Sequence, residues 1–144
     1  MSKLYFRYGA MGSGKTIDLL KVAYNYKERG QNVVIYTAKI DDRYDVGKVT
    51  TRIGIQSDAE LFDSGTNIYR QIKQLETKPD CILIDEAQFL TRKQVVQLTD
   101  IVDILEIPVI CYGLRTNFRM KFFEGSGPLM EMADKIEEIK TICE

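Results

Sequence analysis

The stretch GAMGSGKT constrains this chain more than any other. Gly9, Ala10, Met11, Gly12, Ser13, Gly14, Lys15 and Thr16 fit G-x-x-x-x-G-K-[ST] at every fixed position. Glycines at those places let successive backbone N–H groups curl around an anion. A helix starting near Thr16 would add the positive end of its dipole. The pattern carries weight only between a strand and a helix, and that context is present. Residues 3–9, KLYFRYG, read as a strand; residues 16–30, TIDLLKVAYNYKERG, read as a helix with Gly30 as its stop. The stretch is therefore expected to hold a nucleoside triphosphate, with Lys15 reaching the β- and γ-phosphates and Thr16 Oγ1 ligating Mg2+. The competing reading is a glycine-rich turn with an incidental lysine.

The rest of the chain repeats the alternation. Strands are expected over 32–38, 80–86, 108–113 and 136–143, and helices over 66–76, 91–105 (with Thr91 as N-cap) and 128–135. Residues 39–56, highly charged and with two glycines, read as a long loop. Near-continuous apolar strands separated by helices predict an α/β fold of the P-loop NTPase type, a mainly parallel sheet flanked by helices. Ligands of such sheets gather beyond the carboxyl ends of the strands. Gly9–Thr16, Asp41–Tyr44, Asp85–Phe89 and Leu114–Arg119 fall there.

Composition narrows the function. At 144 residues the chain is expected to form one domain over 1–144. Lys and Arg number 20 against 21 Asp and Glu, so no basic surplus points to nucleic acid. No apolar run is long enough to span a membrane and no leader pattern is evident, which predicts a cytoplasmic protein. Histidine is absent, which removes Ser/His and Cys/His catalysis and histidine metal ligands. Proton transfer then falls to Asp, Glu, Lys, Tyr or water. Cys81 and Cys111 lie in apolar runs and read as buried, reduced thiols.

A second motif, ILIDEAQF at 82–89, ends a buried strand in adjacent carboxylates. Asp85 suits the Mg2+-holding role of a Walker-B aspartate. Glu86 has two readings: it polarises an attacking water, as in ATPases, or accepts a proton from an acceptor hydroxyl, as a general base does. DEAQ also matches helicase boxes superficially, but one domain of net charge −1 offers poor material for a nucleic-acid track. A nucleotide sensor without turnover is the third class.

With the phosphate loop, KIDDRY, DEAQF and YGLRTNFR followed by FF in this order, the sequence resembles the thymidine kinase family of the cellular and bacterial type from residue 3 to its last residue. The resemblance implies transfer of the ATP γ-phosphate to the 5′-hydroxyl of thymidine. It implies Glu86 as general base, and Arg43 and Asp41 facing the transferring phosphate and its Mg2+. An ion pair of Arg43 with Asp42 or Asp45 is the plainer reading. Ala87 and Gln88 share the nucleotide site by the same likeness. Met11, Phe89, Leu114, Phe118 and Phe123 match positions around the thymine ring, where aromatic and thioether groups suit a flat methylated base. Arg119 matches a family arginine, with Asn117 where aspartate is common. A homotetramer with feedback binding of thymidine triphosphate is also implied, with no nucleic-acid or membrane partner.

The sequence departs from the family at its end. Relatives continue past TIC into two cysteine pairs that bind structural zinc, and into a lasso-like loop over the nucleoside. Cys143 corresponds to the first zinc ligand, and Glu144 follows it. One cysteine cannot close a tetrahedral site, so zinc is expected only in a longer chain. Residues 1–144 are expected to keep the ATP-binding half and to be impaired in nucleoside affinity and turnover.

Overall fold

The computed structural model describes residues 2–10, 14–39, 48–50, 56–116 and 120–140. Six strands form one sheet in the order β5-β2-β6-β7-β1-β8, and every pairing is parallel. They are β1 (Leu4–Tyr8), β2 (Val33–Ala38), β5 (Glu60–Phe62), β6 (Cys81–Ile84), β7 (Val109–Gly113) and β8 (Lys135–Glu138). The helices are α1 (Lys15–Glu28), α2 (Ile68–Lys73), α3 (Arg92–Asp103) and α4 (Ser126–Met132). The expected parallel α/β architecture is present.

Strand alternation divides the core into two layers. Ile82 and Ile84 face one side with Leu4, Phe6 and Val109, packed with residues of α2, α3 and α4. Cys81 and Leu83 face the other with Ile35, Ile110 and Tyr112, under Leu19 and Ala23 of α1. All four side chains of β6 are fully buried, which is why this strand reads as an unbroken apolar run. Helix α3 is closed at its start by a reciprocal capping box. Thr91 Oγ1 accepts from Gln94 N, and Gln94 Oε1 accepts from Thr91 N. The buried Gln94 amide also donates to the carbonyls of Asp63 and Thr66, fixing the turn between β5 and α2.

Some boundaries differ from expectation. The charged stretch 39–56 is not wholly loop: β3 (Lys48–Thr50) pairs antiparallel with β4 (Gln56–Asp58), and three-residue polar strands leave no alternation to detect. β5 is an edge strand of three residues that buries only Phe62. α2 is shorter than 66–76, because Asn67 caps it by accepting from Arg70 N and it ends at Lys73. α4 starts at Ser126, ahead of Pro128, whose missing N–H falls in the first turn where no intrahelical bond is lost. The last strand covers Lys135–Glu138, an exposed edge, within the expected 136–143 span and one residue before it. Cys81 and Cys111 are buried free thiols, as expected.

Candidate active site

The carboxyl ends of β1 and β6 deliver the two motifs to one edge of the sheet. β1 leads into Gly9, whose N–H donates to Gly113 O at the end of β7 (3.2 Å). Gly14 precedes α1 at φ 89°, the left-handed region where a side chain is strained, and among the described residues no atom beyond its chain neighbours and its own helix backbone lies within 4 Å of a Cβ built there. Backbone conformation, not space, therefore requires glycine at this position. Lys15 opens α1, and its ammonium donates to Ala10 O (2.8 Å) and Gly9 O (3.3 Å). Burial lowers the Lys15 pKa, and Glu86 and then Asp85 oppose that shift by their charge. The structure thus brings Lys15, Glu86 and Asp85 within electrostatic reach of one another. Thr16 follows in the first turn of α1, partly exposed.

Asp85 is nearly buried at the end of β6. Its N–H donates to Tyr36 O (2.7 Å), and Thr37 Oγ1 donates to its Oδ2 at 3.4 Å. Glu86 adopts φ 57°, ψ 40°, a left-handed conformation that is unusual for a glutamate, and it leads into a single 3-10 turn over Ala87–Phe89. A non-glycine residue is held there at a cost of about 1–2 kcal/mol, so surrounding contacts must impose it.

Those contacts are visible. Gln88 is buried, and its Oε1 accepts from Leu114 N (3.2 Å); its carbonyl accepts from Gly125 N (3.1 Å). Ser126, fully buried, donates its hydroxyl to Leu114 O. Two glycines allow the close approach. A Cβ on Gly125 would meet Ala87 O at 2.4 Å, and one on Gly113 would meet Gln88 Oε1 at 2.7 Å. The turn carrying Glu86 is therefore clamped between the end of β7 and the start of α4.

The same clamp collects apolar side chains. Phe89 and Phe123 meet edge to face with centroids 6.3 Å apart, and Leu114 is tied to the residue next to Phe89. Phe89 remains 45% exposed, so its ring offers a face to a ligand. Of the residues expected around the site, Gly9, Ala10, Gly14, Lys15, Thr16, Asp85, Glu86, Ala87, Gln88, Phe89, Leu114 and Phe123 are described. Met11, Gly12, Ser13, Asp41, Arg43, Phe118, Arg119 and Cys143 lie outside the described residues. Ala87 is fully buried and Gln88 almost so, and the interactions seen for them brace the turn. Gly113 and Gly125 carry no sequence signal, since no spacing rule marks a residue that serves by leaving room, and Ser126 has a role only because the fold sets Leu114 O beside it.

A glycine-rich loop between the first strand and first helix of a parallel sheet, facing an acidic pair at the end of another strand, defines a P-loop nucleotide-binding α/β domain. Solved structures agree at the level of the fold. The chain superposes on a DNA replication initiation factor with TM-score 0.55 and 19% identity, covering 97% of this chain and 40% of that one. It superposes on DnaA from Aquifex aeolicus with TM-score 0.54 and 20% identity, covering 94% and 40%.

Sequence comparison narrows the class. The thymidine kinase family profile matches residues 2–144. The chain is 56% identical to a thymidine kinase of Mannheimia succiniciproducens, covering 99% of this chain and 74% of that protein. It is 56% identical to one of Haemophilus influenzae (99% and 75%) and 57% identical to one of Vibrio parahaemolyticus (99% and 76%). The chain belongs to the thymidine kinase family, and it is a kinase.

Proposed function

We propose that this chain transfers the γ-phosphate of ATP to the 5′-hydroxyl of thymidine. The observation that carries the reading is that Lys15, at the start of α1, and the acidic pair Asp85 and Glu86, at the end of β6, lie within electrostatic reach at the sheet edge where Phe89 and Phe123 also gather. Lys15 now donates to two loop carbonyls, neutral partners that a polyanion outcompetes by charge. Gly9–Thr16 hold the triphosphate, with Ala87 and Gln88 backing the site. Glu86 takes the proton of the 5′-hydroxyl as general base. Arg43 steadies the moving phosphoryl group, whose charge spreads over its oxygens. Met11, Phe89, Leu114, Phe118 and Phe123 receive the base.

The donor set suits Mg2+, which takes one or two carboxylates and a hydroxyl alongside phosphate oxygens and needs no dedicated cage. The buried Asp85 carboxylate, oriented by Thr37, and Thr16 at the helix start are such donors; Asp41 is the third by resemblance. When bound, the ion neutralises charge on the β- and γ-phosphate oxygens. Zinc is a different matter. Among the described residues no group of three His, Cys, Asp or Glu side chains is placed to hold a metal, and Cys81 and Cys111 are core residues. Cys143 lies outside the described residues, and zinc enters no step here.

A cytoplasmic homotetramer regulated by thymidine triphosphate, without nucleic-acid or membrane partners, completes the proposal. Among the described residues no helix is long and apolar enough to cross a membrane. The test follows label from γ-32P-ATP into a panel of nucleosides. Labelled thymidine monophosphate, without cytidine or purine products, is the expected result; hydrolysis with no labelled nucleoside would overturn it.

A further inference from the structure

Arg7 lies within β1, short of the phosphate loop, yet it makes a dense set of polar contacts. Its Nη1 donates to Asp18 Oδ2 (2.8 Å) and to the Tyr112 hydroxyl (3.1 Å), and its Nε donates to Glu137 Oε1 (3.1 Å). The Tyr112 hydroxyl in turn donates to the same Asp18 oxygen at 2.8 Å. The guanidinium also lies 5.9 Å from the centroid of the Tyr112 ring. Four elements, β1, α1, β7 and β8, thus meet at one charge. This is more than a solvated ion pair: the Arg7 side chain is 23% exposed and Tyr112 is fully buried. Burial acts to lower the Arg7 pKa, but Tyr112, Glu137 and Asp18 outweigh it and hold the guanidinium charged.

Asp18 is the acidic residue in the first turn of α1, and its N–H closes that turn on Gly14 O at 3.0 Å. A carboxylate there favours an empty helix, because it sits near the positive end of the dipole. It is unfavourable to a helix that must receive a polyanion, since carboxylate and phosphate compete for the same potential. Arg7 and the Tyr112 hydroxyl both engage the carboxylate oxygen responsible.

We infer that Arg7 is a positioning and charge-compensating residue for the phosphate loop: it neutralises Asp18 and fixes the first turn of α1, leaving the helix end available to triphosphate. The inference rests on the reading of residues 9–16 as an ATP site. Mg-ATP binding by calorimetry, on the unaltered chain, Arg7→Gln, Asp18→Asn and the double variant, tests it. Arg7→Gln is expected to weaken Mg-ATP about two- to tenfold. Asp18→Asn should bind as tightly as the unaltered chain or more tightly, and the double variant should return to within about twofold of it. A scaffold role alone would not be rescued by removing the second partner. Weaker binding by Asp18→Asn, or no recovery in the double variant, overturns the inference; the Asp18→Asn result stands alone if Arg7→Gln does not fold. An unaltered chain that binds no Mg-ATP would instead overturn the ATP-site reading, and this inference with it.

Discussion

Replacing Gly125 by alanine tests the idea that the turn bearing Glu86 is held by close packing. Gly125 has φ −82° and ψ −25°, ordinary values for alanine, so conformational strain is not involved. By limiting the unfolded chain, alanine should even stabilise by about 0.4–1 kcal/mol. Space decides the sign. The new Cβ would stand 2.4 Å from Ala87 O, 2.9 Å from Leu90 O and 3.0 Å from Leu90 Cβ, and the nearest of these is backbone. Restoring ordinary contact needs a shift of roughly 1 Å, and overpacking of this kind costs about 1–3 kcal/mol. The net loss is about 0–2.6 kcal/mol, centred near 1.3 kcal/mol. At about 2.1 cal/mol/K per residue, 144 residues give an unfolding entropy near 0.3 kcal/mol/K, so Tm should fall by up to about 9 °C, centred near 4 °C. The displaced carbonyl is one residue from Glu86, and a misplacement of about 1 Å costs up to ~100-fold in rate. Thermal melts, phosphoryl-transfer kcat and Mg-ATP affinity are to be measured beside Gly65→Ala, whose Cβ would meet only Asp63 Oδ1 at 3.5 Å. We expect Gly125→Ala to lose Tm and kcat while ATP affinity stays within about threefold, because Lys15 is held from other elements. A Tm no lower than that of Gly65→Ala, with kcat unchanged, would refute the clamp.

Three further outcomes are expected. Glu86→Gln should lower kcat about 10²–10⁴-fold with ATP affinity nearly kept; a fall under tenfold removes Glu86 from proton transfer. Glu86→Gly should relieve the left-handed backbone and raise Tm by a few degrees, roughly 1 kcal/mol, while abolishing turnover; a lower Tm would mean the glutamate side chain supports the fold. Burial pushes the Cys81 thiol up to about 11, against weaker lowering by hydrogen bonds from Tyr26 and the Ile82 backbone and by the charge of Arg7. Below about pH 7.5 the thiol is protonated in both states and contributes no pH dependence. Between about pH 8 and 11 the unfolded chain ionises ahead of the folded one, so stability should fall by up to ~1.4 kcal/mol per pH unit. Urea denaturation of Cys81→Ala across this window should give a shallower slope, and an identical slope would show the thiol is not responsible.

The parts of the fold that were legible in sequence are those whose signal is local. Gly14 before Lys15, the unbroken apolar run of β6 and the Thr91 cap are each read from a few consecutive residues, and each stands where it was expected. β5 escaped because a three-residue edge strand shows no period. The cluster around Arg7 escaped for another reason: Arg7 is separated by 105 residues from Tyr112 and by 130 from Glu137. Neither contact is implied by linear spacing. Gln88 illustrates the middle case, since its place beside the acidic pair was visible but its bond to Leu114 N depends on β7 packing behind it.

The order of strands in the sheet also bears on how the chain is made. β1, which supports the phosphate loop, pairs only with β7 and β8: Leu4 with Val109, and Tyr5 with Lys135. β1 therefore waits for strands that follow it by more than 100 residues. At about 5–20 residues per second, the roughly 130 residues from Tyr5 to Lys135 take about 7–26 s to emerge. Until Val109 emerges, about 5–21 s after Leu4, Leu4 and Phe6, both buried in the finished sheet, have no native strand beside them. Nucleotide cannot assist the nascent chain early, because the loop that would grip it has no strand partners until late in synthesis. Chaperone protection of the amino-terminal segment, not ligand, is what such a topology calls for in those seconds.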